Sequence, residues 1–276
     1  MAISNILVAF NGSENAASAV RLAIRMAKEH DAHLTGLFAH STPTYTAEFD
    51  PYMPAETLAL LTRQEQETET RVDREFKDLC ASEGMGDRVS FLIEQGHPND
   101  VCSAYARTYD LTVIGRAEGD FWQLHREPHP DTVALQSGRA VIVAPKVLGE
   151  GGLPRDVMLA WDGKRAAARA LADAMTLIEG ATRVLVLHVG EDDSAVRKPG
   201  RDIMEHLSRH GIPAELRIEP RAGRSIGETV VETYHALGPE LLIMGAYERS
   251  RFSETLLGGV TLDVLAAADI PVLMSH

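Results

Sequence analysis

The stretch Ile6-Leu-Val-Ala-Phe-Asn-Gly-Ser13 recurs later in the chain as Val157-Met-Leu-Ala-Trp-Asp-Gly-Lys164. In both copies a short apolar run ends in a polar residue and a glycine. An alanine-rich segment with apolar residues at helical spacing follows each copy, at Ala16–Glu29 and at Ala166–Ile178. A buried strand, a tight turn and a helix are therefore predicted twice, and an internal repeat of this kind decides the fold.

The rest of each half continues the repeat. After the first helix come a second apolar strand, a further helix, an apolar strand that ends in glycine, and a last strand beside a proline. In the first half these segments are Leu34–Ala39, Asp100–Tyr109, Leu111–Gly115 and Ala140–Pro145. In the second half they are Val184–Val189, Gly227–Leu237, Leu241–Gly245 and Ile270–Ser275. Short apolar strands that alternate with helices indicate a parallel sheet covered on both faces.

The predicted organisation is an α/β protein with two domains, at 1–147 and 155–276, and each half is expected to contain a five-stranded parallel sheet. A glycine- and proline-containing linker around Lys146–Pro154 joins the halves. The first half is longer because of an insertion between His40 and Val72. The charged run Arg63–Arg74 in this insertion predicts a solvated amphipathic helix.

Composition excludes several classes of function. The formal net charge of −13 argues against general binding to nucleic acid or to an anionic membrane surface, both of which need clustered Lys and Arg. Cys80 and Cys102 are too few for a disulfide framework and are predicted to be structural. The apolar run Ile6–Phe10 is too short for a signal peptide, and no run approaches the roughly 20 apolar residues of a membrane span. A cytoplasmic protein is expected.

The loops that follow the strands of the second half contain the candidate site. Asp162 and Gly163 follow the first strand of this half, and Gly258 and Gly259 open the helix predicted at Val260–Ala267. Ligands of open parallel sheets bind beyond the carboxyl ends of the strands, and a helix amino terminus favours phosphate. The glycine pair indicates either a phosphate loop or only a tight turn before a helix, and the residues alone leave both interpretations open.

Here the sequence resembles the universal stress protein family, and the resemblance covers both halves. The family signature is Gly, two residues, Gly, nine residues, Gly and then Ser or Thr, which matches the stretch Gly245–Thr261 in part. The resemblance implies two tandem Rossmann-like domains of the adenine nucleotide alpha hydrolase-like type, with ATP or a related adenine nucleotide in the second half. Mg²⁺ is implied only together with the nucleotide. The implied binding residues are Asp162, Gly163, Val189, Gly245, Glu248, Gly258, Gly259, Val260 and Thr261.

Several departures from the family pattern weaken the expected binding. Glu248 replaces the second signature glycine, and Gly259 replaces the final Ser or Thr. In the first half Asn11 replaces the aspartate, and the loop after Gly115 has no glycine pair before its helix. We therefore predict weak or absent ATP binding in the second half, and a structural or partner-binding copy in the first.

Members of the family pair through their last strands, which are Val141–Ala144 and Val272–Ser275 in this chain. The resemblance therefore implies that the two halves form a pseudo-dimer within one chain. We expect two separate sheets that pack against each other. A homodimer of the whole chain is also consistent with the sequence.

Other constellations are weaker. His125, His129 and Asp131 lie in a proline-containing loop with no evident fourth metal ligand, so no metal site is predicted. His188 is expected to be a satisfied core histidine, and Ser13 has no histidine partner for nucleophilic catalysis. The sequence predicts a nucleotide-responsive regulatory or stress-protective protein. The alternatives are a scaffold that binds no nucleotide and a slow ATPase.

Overall fold

A computed structural model describes residues 2–41, 55–116, 126–149, 151–190, 202–246, 259–267 and 269–276. Strands and helices alternate through both halves of the chain. The first half contains β1 (Asn5–Ala9), α1 (Glu14–His30), β2 (His33–His40), α2 (Ala55–Ser82), β3 (Val89–Gln95), α3 (Pro98–Ala106), β4 (Leu111–Gly115), α4 (Pro130–Ser137) and β5 (Val141–Ala144). The second half contains β6 (Asp156–Ala160), α5 (Arg165–Glu179), β7 (Arg183–Val189), α6 (Ile203–Arg209), β8 (Ala214–Glu219), α7 (Ile226–Leu237), β9 (Leu241–Gly245), α8 (Val260–Ala267) and β10 (Val272–Ser275).

The strands of the described residues form one ten-stranded sheet in the order β3-β2-β1-β4-β5-β10-β9-β6-β7-β8. Within each half all neighbouring strands are parallel. The halves meet where β5 and β10 pair antiparallel, with Leu273 opposite Ile142. The predicted five-stranded parallel sheets and the pairing of the last strands are thus confirmed.

One expectation about the sheets is wrong. The sheets of the two halves are not separate, because the backbone hydrogen bonds between β5 and β10 join them edge to edge. This pairing satisfies the backbone groups of two strands that would otherwise be open edges. The predicted domain limits, 1–147 and 155–276, stay a prediction.

The inner strands of the sheet are apolar on both faces because helices cover both faces, whereas the edge strand β8 alternates apolar residues with charged ones. In β1, Ile6 and Val8 face one core, whereas Leu7 and Ala9 face the other. The first core also contains residues of α1, α2, α5 and α6, and the second contains residues of α3, α4, α7 and α8. The two layers of helices leave the carboxyl ends of the strands as the place where loops of both faces meet.

The charged run Arg63–Arg74 lies on α2, as predicted. This helix of 28 residues buries Val72 and Phe76 against the sheet, while pairs such as Arg63 with Glu67 lie on its exposed side. The helix predicted around Asp100–Tyr109 instead begins at Pro98 and ends at Ala106. Proline is favoured at a first helical position, which explains the earlier start. None of the described helices is both long and apolar enough to cross a membrane.

Candidate functional site

The candidate site of the second half lies at the carboxyl ends of β6 and β9. The chain runs from β6 to β7 and β8 on one side, and returns to β9 and β10 on the other. The strand order therefore reverses between β6 and β9, and ligands of open α/β sheets bind at such a point. Helix α5 follows β6 on one face of the sheet, and α8 precedes β10 on the opposite face. The loops of both faces open into this crevice.

Asp162 forms a tight turn at the start of α5. Its Oδ1 accepts a hydrogen bond of 3.0 Å from the backbone N–H of Lys164, and Gly163 has a positive φ of 74°. The ammonium of Lys164 lies 3.7 Å from Asp162 Oδ2, and both side chains are about half exposed, at 52% and 51%. The carboxylate therefore shapes the turn and still has an oxygen directed to solvent.

The first half forms the same turn with an amide. Asn11 Oδ1 accepts a hydrogen bond of 2.9 Å from the N–H of Ser13, and Gly12 has a φ of 86°. Since aspartate and asparagine both make this turn, its presence in the two halves reflects the fold and gives no evidence of a ligand. Only the extra charge of Asp162 distinguishes the second half at this position.

Gly245 ends β9 and touches the first turn of α5. A Cβ at this position would lie 2.6 Å from the backbone carbon of Ala166. Gly115 has the same surroundings in the first half, where a Cβ would lie 2.6 Å from the carbonyl oxygen of Asn15. Both glycines are thus needed for the close approach of helix and strand, whether or not a ligand is present.

Gly259, Val260 and Thr261 start α8 on the opposite face. Gly259 has a φ of 115°, and its carbonyl accepts the first helical hydrogen bond, 2.8 Å from the N–H of Asp263. Thr261 is buried at 7% exposure, which leaves Gly259 and the half-buried Val260 nearer the crevice. Glu248 and Gly258, the remaining predicted site residues, lie outside the described residues, as do Arg249 and Arg251.

Val189 ends β7, next to the crevice, and is half-buried. The neighbouring His188 is 8% exposed, and its Nδ1 lies 2.9 Å from the carbonyl oxygen of Trp161. This contact makes His188 a core histidine with a backbone partner, as predicted.

Arg165 and His276 are near the same place and were not predicted. His276 Nδ1 donates to the carbonyl of Ala246, at 2.7 Å, and its Nε2 accepts from Arg165 at 3.2 Å. Arg165 is the first residue of α5, and Ala246 follows β9 directly. The sequence could have indicated Arg165, because this residue comes directly after the Asp162–Lys164 turn.

The corresponding site of the first half is occupied by the chain itself. Glu127 lies in the loop before α4, and its Oε1 accepts hydrogen bonds from Asn11 Nδ2, at 2.8 Å, and from Ser13 Oγ, at 3.3 Å. From the sequence, only the missing glycine pair of this loop was considered, and Glu127 was not predicted. An alignment of the two halves on the first residues of β5 and β10 would have identified Glu127. In this alignment Glu127 and Pro128 stand at the positions of Gly258 and Gly259.

Other candidate chemistry is not supported among the described residues. His125 lies outside them, and no group of three His, Cys, Asp or Glu side chains within them is arranged to hold a metal ion. Burial raises the pKa of Cys80 to about 11 and that of Cys102 to about 12. Such thiols are poor nucleophiles at neutral pH.

Comparison with known proteins agrees with this architecture. The model of the universal stress protein family matches residues 2–145 and, separately, residues 154–276. A universal stress protein from Archaeoglobus fulgidus is 17% identical, with a TM-score of 0.69 over 98% of this chain and 97% of its own. A functionally unknown protein from Pseudomonas aeruginosa PAO1 is 16% identical, with a TM-score of 0.56 over 99% of this chain and 92% of its own. A putative universal stress protein from Pseudomonas aeruginosa UCBPP-PA14 is also 16% identical, with a TM-score of 0.55 over 99% and 93%.

At these identities the likeness to solved structures shows the fold. No curated protein matches the sequence. The fold is that of a tandem Rossmann-like α/β protein whose two halves pair within one chain. The chain belongs to the universal stress protein family, whose model matches once in each half.

Proposed function

We propose that the second half binds an adenine nucleotide weakly and that the chain works as a nucleotide-responsive regulatory or protective protein. The strongest support for nucleotide binding comes from the amino terminus of α5. Lys164 is the N-cap residue of this helix but gives no side-chain hydrogen bond to its first turn, whereas Ser13 Oγ accepts from the N–H of Ala16 in α1. First-turn amides have no partner within their own helix, so those of α5 suit a phosphate.

The residues around this turn fit the other parts of a nucleotide. The outer oxygen of Asp162 suits a ribose hydroxyl or an adenine amine, and Val189 suits the face of the ring. Gly259 brings the backbone close to a ligand, since a Cβ at this position would meet no described atom within 4 Å. The positive side chains of Lys164 and Arg165 favour phosphate. A nucleotide would bring Mg²⁺ with it.

Glu248 is the reason for expecting weak binding. A left-handed backbone at this position would cost a residue with a Cβ roughly 1–2 kcal/mol relative to glycine. A carboxylate about 4 Å from a phosphate charge costs roughly 1 kcal/mol in water and about 4 kcal/mol at an effective dielectric near 20. Arg249 and Arg251 follow Glu248 closely in the sequence, and their positive charges would offset part of this repulsion. A net cost of one to two kcal/mol weakens affinity roughly five- to thirtyfold.

Titration calorimetry with ATP tests this proposal on three forms of the chain. Glu248→Gln removes the charge but keeps the Cβ, and Glu248→Gly removes both. We expect affinity to rise from the native protein to the glutamine variant and again to the glycine variant. Tight binding by the native protein with no gain in either variant would show that Glu248 faces away from the phosphates. No binding by any form would favour the scaffold that binds no nucleotide.

The chain is proposed to bind the nucleotide without chemistry of its own. Among the described residues, Ser13 donates to Glu127 and has no histidine base, and Ser250 lies outside them. A slow ATPase is the alternative, and release of phosphate from bound ATP during a long incubation would favour it. Cytoplasmic location and pairing of whole chains into a homodimer also remain proposals.

A further inference from the structure

We propose that Glu127 is a built-in anion that closes the site of the first half, and that α2 holds it in place through Arg126. The first half is therefore a closed copy of the site, which excludes phosphate-bearing ligands as long as this carboxylate is present. This inference concerns the first half alone and stands independently of nucleotide binding by the second half.

The contacts of Glu127 are those of a bound anion. Its Oε1 accepts from the side-chain amide of Asn11 and from the hydroxyl of Ser13, at 2.8 and 3.3 Å. Ser13 is also the N-cap of α1, a helix of 17 residues whose amino terminus favours negative charge. The carboxylate thus takes the donors and the helix dipole that a ligand anion would use.

A chain of close polar contacts connects this loop to α2. Arg126 Nη2 lies 3.1 Å from Glu65 Oε2, and Glu65 Oε1 lies 2.7 Å from Nδ1 of His40, close but not aligned as a hydrogen bond. Nε2 of the same histidine lies 3.1 Å from Glu69. His40 is 2% exposed and Glu65 is 16% exposed, whereas Arg126 is 36% exposed, so solvent screens the contact between Glu65 and Arg126 in part. These contacts hold the side chain of Arg126 in place. Because Glu127 is the next residue in the chain, they also restrain its position.

The second half lacks every part of this arrangement that the structure describes. Gly190, the residue directly after β7, stands in place of His40, and the seven residues of α6 replace the long α2. The glycine pair Gly258–Gly259 stands at the positions of Glu127 and Pro128. The closure is therefore a property of the first half and not of the fold.

The space behind Glu127 agrees with a closed site. A cavity with a mainly apolar lining, to which Asn11, Arg126 and Glu127 also belong, lies there at the ends of β1, β2 and β4, and its volume is about 20 Å³. This volume accommodates about one water molecule. The residues that line it include Ala9, Leu37, Ala39, Ile114 and Pro128. In this form the cavity is too small for a ring of nucleobase size, and Glu127 is one of the residues that line it.

Equilibrium dialysis with labelled ATP tests the proposal by counting sites per chain. We expect Glu127→Ala to bind one more ATP per chain than the native protein. If the second half binds no ATP, the native protein should bind none and Glu127→Ala should bind one ATP per chain. Failure of the proposed nucleotide site in the second half can therefore be distinguished from failure of the closure proposed for the first half. A cooperatively folded Glu127→Ala variant with the native count would overturn the closure.

A second measurement does not depend on any ligand. Glu65→Gln should weaken the ion pair that holds Arg126. Glu67→Gln is the control, because Glu67 is an exposed carboxylate on the same helix, and among the contacts observed it pairs only with Arg63. Hydrogen exchange of the His129 amide, which donates to Asn99 Oδ1, should become about tenfold faster in Glu65→Gln, as expected from loss of a charge-assisted hydrogen bond, and stay unchanged in Glu67→Gln. Equal exchange in the two variants would contradict the role of α2.

Discussion

The two halves of the chain form the same turn after their first strand and differ in what lies beside it. Asn11 and Asp162 bend the backbone in the same way, and Gly115 and Gly245 let a helix approach a strand in both halves. In the first half a carboxylate of the chain lies against this turn, as the contact of Glu127 shows. The comparison separates residues that both halves need for folding from the few that can distinguish an open site from a closed one.

The largest expected effect comes from the feature that the halves share. Gly115→Ala and Gly245→Ala each place a Cβ about 2.6 Å from helix backbone, and each should lower the free energy of unfolding by about 1–3 kcal/mol. Gly149→Ala is the control, since a Cβ at this position meets no atom within 4 Å, and its effect should stay within about 0.5 kcal/mol. Urea unfolding measures all three. If only one of the two strand-glycine variants lost stability, the halves would not be equivalent at this position.

A smaller effect should distinguish the starts of α1 and α5. Ser13→Ala removes the cap of α1 together with a hydrogen bond to Glu127, and should cost about 1 kcal/mol of stability. Lys164→Ala removes no cap and should cost less than about 0.5 kcal/mol. Lys164→Ser adds the missing cap and should stabilise the chain. Equal costs for the two alanine variants in urea unfolding would contradict the asymmetry.

The smallest effect is a pH dependence of stability that His30 of the first half should cause. Burial lowers the pKa of His30 at the end of α1, the adjacent Arg155 lowers it further, and Glu29 raises it. The folded state therefore binds the proton less well than the unfolded state, so stability is complete above pH 6.5 and is lost as the pH falls below this value. His30→Gln should remove a small part of the acid destabilisation. An unchanged pH profile of the unfolding free energy would contradict this.

Much of the fold could be predicted from the sequence because each half repeats a strong pattern. The apolar strands ending at Gly115 and Gly245 and the amphipathic α1 and α5 lie where apolar spacing placed them. The joining of the two sheets was missed because strand pairing between distant segments depends on geometry that local spacing does not specify. The end of α3 was also missed, since no glycine marks it and the helix stops before Tyr109.

The candidate site could be predicted less well. Asp162 and Gly245 have the predicted places at the crevice, yet both also have structural roles that a motif cannot reveal. Glu127 was missed because its loop has no recognisable motif, and its contact with Asn11 joins residues far apart in the chain. Arg165 and His276 meet only because β10 returns beside β9.

The central claim is that the second half, and not the first, binds an adenine nucleotide. Photocrosslinking with an azido-ATP, followed by identification of the labelled peptides, tests it most directly. We expect label only in peptides from residues 155–276, removed by excess ATP, lost in Asp162→Ala and retained in Asn11→Ala. Label in peptides that contain Asn11 or Gly115, or the absence of any label that ATP removes, would contradict the account.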